Sequence, residues 1–97
     1  MDINPGKKED EKQPKIRSIN EEFEMTDSAI IIRSRDIDSK ILAKVMFKEI
    51  QQIKIKPAGT LYDGEAVFEL TGGKSLRFPI KKYQQEDFEL MKMNIGK

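Results

Sequence analysis

The chain has 97 residues, one domain's worth, and contains no Cys, His or Trp, which removes disulfide scaffolds, Cys/His zinc sites, cysteine nucleophiles and every catalytic arrangement built on an imidazole base. Hydrophobic residues make up 37% and charged residues 36%, and 18 basic side chains against 17 acidic leave a net charge of +1, so nothing favours general attraction to nucleic acid or to an anionic membrane surface. The longest apolar runs, such as Ala29-Ile30-Ile31-Ile32, are too short to span a bilayer or to form a signal-peptide core, and the expected setting is cytoplasmic.

Residues 1–20 carry Pro5, Gly6 and Pro14 among charged and amide side chains, with Ile3, Ile16 and Ile19 as the aliphatic anchors. Ordering a residue costs about 1–2 kcal/mol of backbone entropy, so this composition predicts a disordered tail, and the folded domain is expected over 21–97. Period-two patterning starts at Glu21. Phe23 and Met25 alternate with Glu22 and Glu24, and Thr26-Asp27-Ser28 has turn chemistry. A β-branched run from Ala29 to Arg35 places Ile30 and Ile32 on one face and Ile31, Arg33 and Arg35 on the other. Asp36 to Ser39 closes a hairpin, after which Ile41, Ala43, Val45 and Phe47 are expected to face inward, opposite Leu42, Lys44, Met46 and Lys48.

Phe47 and Ile50 lie three apart, which predicts a single helical turn before alternation resumes at Ile53 and Ile55. A brief extended piece is expected at Thr60-Leu61-Tyr62. The clearest hairpin joins Ala66, Phe68 and Leu70 to Leu76, Phe78 and Ile80 through Thr71-Gly72-Gly73-Lys74, where Gly-Gly suits a two-residue turn with positive φ. Pro79 cannot donate to a ladder, so the second arm should be an edge or end there. Residues 86–95 lack β-branched side chains until Ile95 and form a helical pattern, with Phe88, Leu90, Met91 and Ile95 in one arc and Gly96 as the stop. The expected fold is mainly β: six or seven short antiparallel strands in a bent sheet or partly open barrel, capped by one C-terminal helix.

Three stretches carry a family resemblance. They are Phe23-Glu24-Met25-Thr26-Asp27-Ser28-Ala29-Ile30-Ile31-Ile32, then Met46-Phe47-Lys48-Glu49-Ile50-Gln51-Gln52-Ile53-Lys54-Ile55, and Glu69 to Phe78 followed by Asp87-Phe88-Glu89-Leu90. In this order they resemble the small bacterial form of the pleckstrin-homology-like (PH-like, GRAM-like) domains over roughly residues 21–95. The resemblance implies a sheet-and-helix binding scaffold without catalytic machinery. It does not carry inositide recognition, because the lysine those lipid-binding members place on the first strand is absent and the Thr26-Asp27-Ser28 loop is acidic.

No nucleophile elbow or phosphate-binding glycine loop accompanies the carboxylates; Gly72-Gly73-Lys74-Ser75 sits between two strands rather than before a helix. Asp36 and Asp38 lack the further oxygen ligands, turn glycine and closing Glu of a calcium loop, so no metal and no cofactor are expected. Nucleic-acid binding is disfavoured, since no stacking aromatics are interleaved with the lysines. The side chains that alternate out of phase with the core, Ile31, Leu42, Met46 and Val67, form the candidate interaction surface. The expected function is therefore a non-catalytic binding module acting by protein–protein contact or self-association. The alternative is a weak anionic-lipid or phosphate-ligand module using Arg33, Arg35, Lys54 and Lys56.

Overall fold

The computed structural model describes residues 15–97, and the greater part of the expected disordered tail, 1–14, lies outside them. Seven strands run β1 (Lys15–Arg17), β2 (Glu21–Met25), β3 (Ala29–Ser34), β4 (Ile41–Met46), β5 (Ile50–Lys56), β6 (Gly64–Leu70) and β7 (Ser75–Ile80), followed by the helix α1 (Gln85–Ile95). All pairings are antiparallel, and the order is β1-β2-β3-β4 in one open sheet and β5-β6-β7 in the other. The sheet-and-helix expectation holds, with no closed barrel.

The N-terminal boundary needs correction. Lys15–Arg17 is a strand that pairs with β2, opposing Ile16 to Phe23, so order begins before Glu21. This strand, and not Thr60-Leu61-Tyr62, supplies the seventh; residues 57–63 are an irregular loop. Few apolar groups stabilise β1 locally. Its following turn is tied down from elsewhere: Arg35 Nη1 donates to the Ser18 carbonyl at 2.7 Å, Gln84 Nε2 donates to the same oxygen at 3.0 Å, and the Ile19 amide donates to the Pro79 carbonyl at 3.1 Å.

One core serves both sheets and the helix. Phe23 on β2 stacks on Phe68 of β6 with ring centroids 6.0 Å apart, and it meets Phe78 and Phe88 edge-on at 5.0 and 5.1 Å. Around these rings pack Ile30, Ile32, Val45, Ile50, Ile53 and Met91, all buried. Phe47 and Phe78 are half-buried against the same cluster. On α1 the buried residues are Phe88 and Met91, with Ile95 packed beside them; Leu90 is exposed because it lies beyond this narrower stripe. Gly96 ends the helix at φ 84, the left-handed conformation that costs glycine nothing, and its amide reaches the Lys92 carbonyl.

Two bulges set the phases. Between Ile32↔Ala43 and Arg33↔Ile41 the register slips, leaving Leu42 as the extra residue of β4. Ile41 therefore shares the phase of Arg33 and is exposed, where uninterrupted alternation predicts it inside. A second slip leaves Gln51 unpaired, so Ile50 and Ile53, three apart, are both buried. Phe47–Glu49 forms the expected single 3₁₀ turn between the sheets. At the β6–β7 hairpin Gly72 and Gly73 both take positive φ, as read from the sequence, but the loop is wider than two residues: the Leu70 amide closes on the Lys74 carbonyl at 2.8 Å.

Candidate binding surface

The four out-of-phase apolar residues do not form one surface. Ile31 and Met46 lie on the outward phase of the first sheet, in register with Glu24 and Lys44 and with Ala29, and both are half-buried. Leu42, half exposed, lies at the bulge and lines a recess of about 530 Å³ together with Ile19, Glu21, Ser34 and Arg35. Val67 belongs to the other sheet and is only 1% exposed, which removes it from any contact surface. The reason is its position in the middle strand. Its register partners are Lys54 and Arg77, and ion pairs run beside it from Lys54 to Glu69 and from Arg77 to Glu65, so the apolar stems of long side chains roof the valine.

The four candidate anion-binding cations are also separated. Arg33 is on the outward phase of the first sheet, paired with Glu24. Arg35 sits beyond the end of β3, its guanidinium committed to the Ser18 and Ile19 carbonyls. Lys54 and Lys56 are on the outward phase of the second sheet, held by Glu69 at 3.0 Å and Glu65 at 3.6 Å. Cations do converge elsewhere, at Lys15, Arg17 and Arg35 around a groove of about 400 Å³ that also takes Tyr83, Gln84 and Asp87. Glu22 pairs with both Lys15 and Arg17, and Asp87 adds a second carboxylate, so that groove is close to balanced. Asp36 is occupied in its own loop: its Oδ1 accepts from Ser34 Oγ at 2.7 Å and from the Asp38 amide at 3.3 Å. Among the described residues no group of three or more Asp or Glu could hold a metal ion, and no helix is long and apolar enough to cross a membrane.

The sheet edges differ more than the faces do. An edge strand presents unpaired amides and carbonyls that another strand can take. On β5 the Ile53 amide is taken by the Lys97 carbonyl at 3.2 Å. On β7 the Leu70–Lys74 bond sets the alternation so that Pro79 faces away from β6; its missing amide costs the ladder nothing, and its carbonyl is filled by Ile19. The expectation that Pro79 marks an edge is met. β1 is three residues long, with Lys15 and Arg17 at its ends.

Outward backbone stays open at Ile55 on β5 and Arg77 on β7, and β4 is open as well. The Phe47 amide donates to the Ser28 carbonyl at 2.8 Å, continuing the β3–β4 ladder, and alternation from that bond turns the backbone groups of Lys44 and Met46 away from β3. Glu49 Oε1 accepts from the Met46 amide at 3.1 Å. The amide and carbonyl of Lys44 have no backbone partner among the described residues, and Ile41 and Leu42 beside them are 56% and 52% exposed. Sequence reasoning singled out Leu42 and Met46 for their side chains and missed this backbone edge, because pairing order is not visible in hydrophobic alternation.

No family model, curated protein or solved structure matches the chain.

Proposed function

We propose that the chain is a non-catalytic, PH-like binding module that engages a protein partner along β4. The PH-like reading is supported by the four-plus-three strand order and the closing helix. The observation that carries the function is that the open backbone of Lys44 on β4 is flanked by exposed Ile41 and Leu42, whereas β5 is tied to Lys97 at Ile53 and the open backbone of Arg77 on β7 is followed by Pro79. Main-chain pairing gives such an edge affinity, and the neighbouring apolar side chains give it area. Ile31 and Met46 contribute the adjoining, half-buried ground of the same surface.

A photo-crosslinking residue placed at position 42, compared with one at position 54, tests the reading in the native lysate. Discrete protein adducts are expected at position 42 and background at position 54. Equal background at both positions would contradict it. Sedimentation velocity over a range of concentrations, run on the purified chain, identifies a second copy as the partner if the adduct has twice the chain's mass.

A further inference from the structure

Resting on β4 as the binding edge, we infer that its partner is an acidic, extended segment of another protein, added as a strand beside Lys44. Charge pairing across the molecule carries this. Every other cation that the structure places on a strand has a carboxylate within reach: Lys15 and Arg17 on Glu22, Arg33 on Glu24, Lys54 on Glu69, Lys56 and Arg77 on Glu65. Lys44 is the strand cation with no carboxylate within 4 Å among the described residues, and the same holds for Lys40 and Lys48, which flank β4 at its two ends. All three lysines are exposed. Two neighbouring acidic groups are engaged in local bonds: Asp36 with Ser34 and the Asp38 amide, Glu49 with the Met46 amide. Other lysines without a carboxylate within 4 Å among the described residues, Lys74, Lys82, Lys92 and Lys97, lie off the strands, so Lys44 with Lys40 and Lys48 is where such cations border a strand edge.

The two features specify one chemistry. A strand added antiparallel or parallel to β4 gives its amide and carbonyl to Lys44 and places alternate side chains on either face. A carboxylate on the face of Lys44 meets that lysine, and apolar residues on the other face extend the core side of Ala43 and Val45. A second copy of β4 fits poorly, since it sets Lys40, Lys44 and Lys48 against their own duplicates, and like charges across an interface are repulsive.

The test uses the full chain and two capped peptides of the six-residue length of β4, one alternating Glu and Val, the other Lys and Val, followed by amide NMR. The Glu peptide should give saturable shifts at Leu42, Lys44 and Met46, weakening as salt rises, and the Lys peptide should give none. Lys44→Glu should lower affinity for the Glu peptide about tenfold or more and transfer binding to the Lys peptide. Lys44→Ala, which keeps the backbone edge, should fall between the two, so a folding defect in one variant leaves the other to decide. Adducts at position 42 without a response to the Glu peptide would leave the binding module standing and overturn the acidic strand. Equal binding of both peptides, or concentration-dependent dimers with shifts at the same amides, would overturn it as well.

Discussion

The edges β7 and β4 border different sheets of one protein, and they differ in how their outward residues are finished. On β7 the outward position nearest the end of the strand is Pro79, whose ring removes the donor and whose carbonyl is filled by Ile19, and Arg77 is paired with Glu65. On β4 the outward backbone of Lys44, like that of Arg77, has no backbone partner, but Lys44 has no carboxylate within 4 Å among the described residues and Ile41 and Leu42 are exposed beside it. A chain that merely avoided aggregation would blunt both edges. The bulge at Leu42 and the three lysines leave the edge open but irregular and cationic, which fits the proposal of a selective partner strand.

The comparison assumes that both edges hang on the same core. Replacing Phe23, which sits on the first sheet and touches rings of the second sheet and of the helix, with Ala should destabilise the whole domain by about 3–5 kcal/mol in a single transition. Two separate transitions in denaturant melts monitored from each sheet would break the assumption. A smaller effect contrasts the two outward apolar residues. Val67→Lys should cost about 2–3 kcal/mol, because the position is covered and the longer side chain must displace the ion-paired stems that roof it. Leu42→Lys should change stability by no more than about 0.5 kcal/mol, read from urea midpoints. A strongly destabilised Leu42→Lys chain would mean that the bulge residue is core after all. The smallest change is expected on β7. Pro79→Ala restores an outward amide at a position that makes no ladder bond, and urea midpoints should shift by only about 0.5 kcal/mol in equivalent stability.

Much of this architecture was legible in the residues, and its failures have physical causes. The Ala66–Ile80 hairpin, the turn at Phe47–Glu49 and the stop at Gly96 are local: two periodicities and a few glycines specify them. β1 was hidden because Ile16 alone gives a strand little reason to form; its order comes from Phe23, Arg35 and Gln84, far away in sequence. Ile41 was misplaced because period two presumes an unbroken register, and one extra residue at Leu42 inverts every phase before it. Val67 was misread because its burial depends on ion pairs crossing three strands. The open edge itself follows from strand order, a property of the fold and not of any residue.

The central claim is that β4 is the edge that accepts a partner strand, and the amides of Lys44 and Arg77, each turned outward on its own edge, report on it directly. Hydrogen exchange followed residue by residue should show both exchanging readily in the isolated chain. Adding the Glu–Val peptide should protect Lys44 and leave Arg77 unchanged. Equal protection of the two amides, or a Lys44 amide indifferent to saturating peptide, would contradict the account.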